Sequence, residues 1–273
     1  LNIDDIVSKL TEESRGPYQN AFLQECECMN VLIVVIVADL ADIVLAFKGE
    51  LTMSERMESL MDNISLNRVP PAWSKKAFPS QRGLGSWLTN IKQRLEQLIL
   101  WKDDPSRIPK VTFINRLFNP QSFLTAIKQI FSREYNVELN KTNIFTEIQR
   151  KWYWEQDIPD CKDGAWIFGF QVEGARWDTQ NLTLDESLPK IQFSIVPVVG
   201  AKALLMGGAR EEKNIYQCPV YKTEDRMNTF VFTAQMKTAK HPPAKWILAG
   251  VALIMDIEGM SDQFSPGKEV TIV

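Results

Sequence analysis

The residues able to do chemistry are few, and their spacing does not bring them together. His241 is the only histidine in 273 residues, so a Ser-His-Asp or Cys-His mechanism would have to run through it. It stands before Pro242-Pro243 in a surface-loop context, where nothing in the sequence orients or desolvates the imidazole as a general base requires. The four cysteines, Cys26, Cys28, Cys161 and Cys218, are dispersed. Zinc needs four ligands, or three and a water, and one histidine with these cysteines does not supply such a pattern. They read as small buried hydrophobes in a reduced, intracellular protein. Cys26 and Cys28 are two apart on an expected helix and so point to different faces.

Glu173 and Asp178 flank Arg176 around a turn. Two carboxylates could serve sugar hydrolysis, but charge pairing with Arg176 at a hairpin is the simpler expectation. The single Gly-Lys pair, Gly267-Lys268, is followed by Glu269 and lacks the earlier glycine of a phosphate-binding loop. No dinucleotide fingerprint is present either. The expected set of catalytic, cofactor-binding and metal-ligating residues is therefore empty.

Charge narrows the partners. Lys and Arg number 31 against 34 Asp and Glu, a formal net charge of −3. Such a surface has no strong attraction for nucleic acid or anionic lipid, and the aromatic strands lack the basic flanks of a base-stacking platform. Val31 to Ala38, VLIVVIVA, is wholly apolar but too short to cross a bilayer, and Asp39 and Asp42 follow it. It is expected to be part of a buried helix.

Helical periodicity dominates the first half. Apolar residues at helical spacing in Leu1 to Gly16 look like the end of an upstream domain. From Tyr18 to Phe47, Phe22, Met29, Ile36 and Ile43 recur every seven residues, predicting a long amphipathic helix stopped by Gly49. Thr52 with Glu55 suggests a capping box for the next helix, striped by Met53, Met57, Leu60, Met61 and Ile64. Another is expected over Ser86 to Trp101, and a last one opens at Asn119-Pro120.

After Val137 the period becomes two. Trp166, Phe168, Phe170 and Val172 predict one strand with an apolar face. Phe193 to Val199, Tyr216 to Tyr221, Phe230 to Met236 and Trp246 to Met255 predict others, the last entered through a helical turn. Pro197 and Pro219 suggest edges or bulges. Glu258 to Val273 is polar, without periodicity, and is expected to be loose. The fold class is α+β: an N-terminal helical subdomain followed by an incomplete antiparallel β-barrel.

Six stretches then fall in a familiar order: KGELTM (48–53), VPPAW (69–73), NPQSFLTAI (119–127), DGAWIFGFQVEGARWD (163–178), YQCPVYKT (216–223) and WILAGVAL (246–253). Together they resemble the C-terminal region of dynein heavy chains, in forms similar to axonemal, beta-type outer-arm chains. Gln217 stands where the family pattern suggests Glu, the end beyond Glu258 runs past the usual family end, and Val34 to Ala38 lacks basic residues often seen there.

The resemblance implies a place directly after the sixth AAA+ module of a motor ring. Residues 1–16 would end that module, 17–136 form the helical subdomain, 137–258 the barrel and 259–273 a flexible tail. It also implies no ATP, magnesium or microtubule site in this segment; ATP and Mg would belong to the upstream ring. Expected partners are the AAA+ ring of the same heavy chain, with exposed apolar residues of the helical half, especially around Val31 to Ala38, as candidate contacts, and, secondarily, other dynein chains and axonemal proteins, with the microtubule met only indirectly. The implied setting is the cytoplasmic axoneme of a cilium or flagellum. A docking module for accessory proteins is the first alternative, and a hydrolase using His241, Glu173 and Asp178 the weaker one.

Overall fold

The computed structural model describes residues 1–207 and 214–256. The expectation for 258–273, and the pair Gly267-Lys268, lie outside the described residues.

Helices come first: α1 (Ile3–Ser8), α2 (Pro17–Phe47), α3 (Glu55–Ser65), a single turn α4 (Pro71–Ser74), α5 (Leu84–Asp103) and α6 (Pro120–Glu134). Within this half a short strand β1 (Thr112–Phe113) also forms. The strands follow: β2 (Thr142–Ile148), β3 (Gly164–Phe168), β4 (Gln171–Glu173), β5 (Arg176–Asp178), β6 (Thr183–Asp185), β7 (Phe193–Ile195), β8 (Val199–Leu205), β9 (Ile215–Thr223) and β10 (Phe230–Lys237). A short helix α7 (Pro243–Leu248) leads into β11 (Ala252–Asp256).

Local chemistry sets the helix ends. Gly49, at φ 76°, takes the left-handed position after α2. Its N–H donates to the Ala46 carbonyl and that of Glu50 to the Leu45 carbonyl, closing a Schellman motif. The Asn119 side chain accepts from the Ser122 N–H and Pro120 occupies the first turn of α6, as the sequence suggests. At α3 the expectation needs correcting. The cap is Ser54, whose hydroxyl accepts from the Met57 N–H, not Thr52. Both residues fit a cap by type, and the backbone enters the helix two residues later.

The strands form a sheet in the order β1-β3-β8-β2, a second in the order β10-β9-β11-β4-β7, and the hairpin β5-β6. The sheets are mixed, because β1 pairs with β3 and β9 with β11 in parallel. That corrects the expectation of purely antiparallel pairing. The single strand expected over 166–172 is divided between the two sheets as β3 and β4. The break lies at Gly169, φ 111°, where a Cβ would lie 2.1 Å from Asn115 Oδ1. The expected strand 193–199 divides likewise into β7 and the start of β8. Pro219 sits in β9, an interior strand rather than an edge. It faces Thr233 on β10, one residue before the parallel register with β11 begins at Val220↔Leu253, so its missing N–H is not required there.

The edges β2 and β10 of the two large sheets face one another. The Thr146 N–H donates to Gln235 Oε1 at 2.8 Å, and the Gln235 N–H donates to Thr146 Oγ1 at 2.6 Å. One continuous apolar core runs from Phe22, Met29 and Trp87 through Phe123 and Ile127 to Ile167, Val172, Val220 and Met236. The helices are thus packed onto the sheets rather than tethered to them.

Candidate interaction face and its buried anchor

The long helix α2 has two faces of different character. Phe22, Cys26, Met29, Leu32 and Ile43 are buried. On the other side Val31, Val34, Val37 and Leu45 are exposed, Val34 by 66%, while Val44 and Phe47, on the helix lines of Cys26 and Met29, are exposed where the C-terminal end of α2 runs past its neighbours. The expectation that Val31 to Ala38 is buried therefore fails for most of that segment. An all-round apolar helix can cover only one side against a single layer of neighbours, here α3, α4, α5 and α6. Scattered exposed apolar residues are ordinary, whereas Val31, Val34 and Leu45 lie close to one line of α2 and make it a candidate contact surface. Among the described residues α2 is also the helix long and apolar enough to cross a bilayer by length and composition alone.

Polar groups anchor the buried side. Asp39, 4% exposed, accepts from Trp73 Nε1 at 2.8 Å and pairs with Arg56. The aspartate that follows the apolar run thereby ties α2 to α3 and to the VPPAW turn. Glu25, also 4% exposed, accepts from the backbone N–H of Phe118 and, at 2.8 Å, from that of Asn119. Burial raises its pKa, while those two N–H groups and the nearby Arg94 and Lys222 act the other way.

The strap 117–119 is held from three elements at once. Arg94 of α5 donates to the Leu117 carbonyl at 2.8 Å, and Lys222 of β9 donates to the Phe118 carbonyl at 3.3 Å. Desolvation pulls the Arg94 guanidinium down to about 9, against the opposing charges of Asp256 and Glu25. It also lies over the Phe78 ring, 3.4 Å from the centroid. Beside it, Arg82 Nε meets Asp256 at 2.6 Å with both side chains 6% exposed, and Ser80 donates to the same carboxylate at 2.6 Å. This clasp joins the Pro-rich connector to the end of β11.

The residues singled out for chemistry are not assembled into a site. Arg176 pairs with Asp185 at 2.8 Å rather than with Glu173 or Asp178, because the β5-β6 register sets Arg176 opposite Asp185. Glu173 binds Arg226 at 2.6 Å. Asp178 accepts from the Asn181 side chain and the Gln180 N–H to hold its turn, which keeps its pKa low. His241 Nε2 lies 3.2 Å from Glu186, and its ring meets Trp246 edge-on at 5.8 Å. The cysteines are free; Cys26 and Cys218 are buried and Cys28 is exposed. Among the described residues no cluster of three or more His, Cys, Asp or Glu could hold a metal ion.

The motifs are placed where the backbone needs special geometry: a helix stop at Gly49, an indole donor at Trp73, a cap at Asn119, and the buried Tyr216 of β9, whose hydroxyl donates to the Val251 carbonyl at 2.6 Å. The family profile for the C-terminal domain of the dynein heavy chain matches residues 1–255. The protein belongs to that family. This dynein C-terminal domain is 42% identical over 258 residues to the dynein beta chain, flagellar outer arm, of Chlamydomonas reinhardtii. It is 38% identical over 266 residues to dynein axonemal heavy chain 11 of Sus scrofa, and 39% over 268 to the ciliary dynein beta chain of Tripneustes gratilla. These matches cover 93–94% of the domain but only 6% of each relative.

Proposed function

We propose that this domain is a structural and regulatory clamp of an axonemal dynein motor. It packs on the AAA+ ring of its own heavy chain and tunes ATP-driven movement along microtubules. It contributes no nucleotide or microtubule site; ATP and Mg bind in the upstream ring. The reading rests on one observation above the rest: α2 exposes an apolar stripe while its opposite face is fixed by Asp39 and Glu25. A helix so anchored keeps the stripe presented, and a ring conformation that covers more of it is favoured over one that covers less. The polar anchors, and the ciliary and flagellar names of the relatives, favour a protein surface in the axoneme over a lipid one.

In this reading residues 1–16 end the sixth AAA+ module, 17–136 are the ring-facing subdomain and 137–258 an incomplete barrel whose seam is the β2–β10 approach. Truncating the heavy chain before Val137 and measuring microtubule-stimulated ATPase with gliding speed tests it. Surviving ATPase with altered motion supports the clamp; no change in either sinks it.

A second reading has its own observation. Met227, Phe230, Ile247 and Leu248 are exposed on the β half, Leu248 by 89%. They suit docking of an accessory axonemal protein. Retention of such a protein, and not of ring fragments, by residues 137–258 would favour it.

A further inference from the structure

The two large sheets meet along one edge without a ladder. Among the described residues β2 pairs with β8 and β10 with β9, and no ladder joins β2 to β10. The Gln149 N–H donates to the Val198 carbonyl and the Thr238 N–H to the Asn214 carbonyl. Strand alternation therefore turns the backbone groups of Ile144, Thr146 and Ile148 on β2, and of Gln235 and Lys237 on β10, toward the seam. The Ile144 N–H is taken by the neighbouring Asn143 Oδ1 at 2.9 Å, so that stretch of edge is capped from its own strand. At Ile148 and Lys237 the strands flank a cavity of about 250 Å³, which Trp177, Leu182 and Ile215 also line.

Between those two points side chains carry the crossing. The Thr146 N–H donates to Gln235 Oε1 at 2.8 Å and the Thr146 hydroxyl donates to the same oxygen at 3.0 Å, which occupies both of its lone pairs. The Gln235 N–H in turn donates to Thr146 Oγ1. The other end of the Gln235 amide, Nε2, donates to Gln217 Oε1 on β9 at 3.3 Å. Gln217 stands opposite Gln235 in the β9–β10 register, so it sets which way that amide lies. We infer that Thr146, Gln235 and Gln217 form a latch, and that the seam opens there locally while β2 keeps its ladder to β8 and β10 its ladder to β9. Release breaks the bonds between Thr146 and Gln235 and no ladder bond, and the cavity beside them leaves little packing to undo. Gln217 is the positioning residue: without its oxygen the Gln235 amide is free to turn away from Thr146. A seam with two states is an element that a binding event on either sheet biases. The latch is independent of what covers α2.

Amide hydrogen exchange of the 273-residue protein, followed by NMR at several low urea concentrations, tests this. The Thr146 and Gln235 amides should be at least about tenfold less protected than those of Phe145, Glu147 and Met236, which stay in the ladders, and their exchange should be insensitive to urea. Gln217→Leu should lower the protection of the pair by a further factor of about five to ten, the worth of one hydrogen bond, and leave the ladder amides unchanged. Gln217→Glu keeps the acceptor and should restore the wild-type protection. Equal protection and equal urea dependence for the pair and its ladder neighbours would mean that the seam opens only when the whole domain unfolds, and overturns the latch. Unaltered exchange of the pair in Gln217→Leu overturns the role of Gln217.

Discussion

The Glu25 carboxylate of α2 accepts hydrogen bonds from the backbone N–H groups of Phe118 and Asn119 at the start of α6. A buried carboxylate at that end of a helix satisfies donors that the helix itself leaves unpaired. It also couples the helix bearing the apolar stripe to the strap that Lys222 reaches from the sheets.

Replacing Glu25 by Ala should cost about 2–3 kcal/mol, because two N–H groups lose their acceptor in the interior. Glu25→Gln keeps one acceptor and should cost less. Acid sensitivity separates them further. The folded-state pKa lies above its ordinary value near 4.5, so folding holds the proton more tightly than the unfolded state does. The stabilisation that Glu25 contributes relative to a glutamine there is therefore greatest below 4.5 and shrinks as pH rises through the raised value. Urea denaturation of wild type and Glu25→Gln at several pH values measures the difference.

Asp39 and Arg56 should not be equal partners. Arg56 is 70% exposed, so its ion pair is largely solvent-screened and Arg56→Ala should change stability by less than about 1 kcal/mol. Asp39→Ala leaves the buried Trp73 indole N–H unpaired and should cost about 1–3 kcal/mol. Denaturation midpoints of the two variants check the order.

Arg82 and Asp256 form a buried clasp, and Arg82→Met leaves the carboxylate inside without its charged partner, held by the Ser80 hydroxyl. A loss of about 3–5 kcal/mol is expected. The double change Arg82→Met with Asp256→Leu should recover much of it, which a thermal melt will show.

Gly169→Ala should be strongly destabilising for two separable reasons. The new Cβ meets Asn115, and φ 111° is a conformation that alanine disfavours. Adding Asn115→Ala removes the clash and not the strain, so recovery should be partial.

Thiol labelling should follow exposure. Cys28 should react first with a maleimide at neutral pH. Burial pushes the Cys26 thiol up to about 12 and Cys161 up to about 11, so both should lag. Mass spectrometry over a time course gives the order.

Much of the helical half was legible because its signals are local. The seven-residue recurrence of Phe22, Met29, Ile36 and Ile43 marks one face of α2, and Asn119-Pro120 announces α6 by capping chemistry alone. The strands were harder. β2 buries Thr142 and Thr146 alongside Ile144 and Ile148, so its inward face is half threonine and its alternation is faint. β3 and β4 part at Gly169, whose positive φ and close approach to Asn115, far back in the sequence, no local window reveals. Pairing partners were equally hidden: Arg176 lies nearer in sequence to Glu173 and Asp178, yet strand register delivers Asp185. For the candidate site, hydropathy revealed the apolar run of α2 but not which side would be left uncovered. The buried anchors at Glu25 and Asp39 look in the sequence like ordinary surface carboxylates, and only their distant partners distinguish them.

The claim that the α2 stripe is covered by the rest of the heavy chain has a direct measurement. Val34→Cys in a Cys28→Ser background can be labelled with a maleimide, once in the 273-residue protein and once in the intact heavy chain. Fast labelling of the short protein and strong protection in the intact one is the expected result. Equal rates in the two would contradict the account, because a clamp whose contact face stays open to solvent makes no contact there.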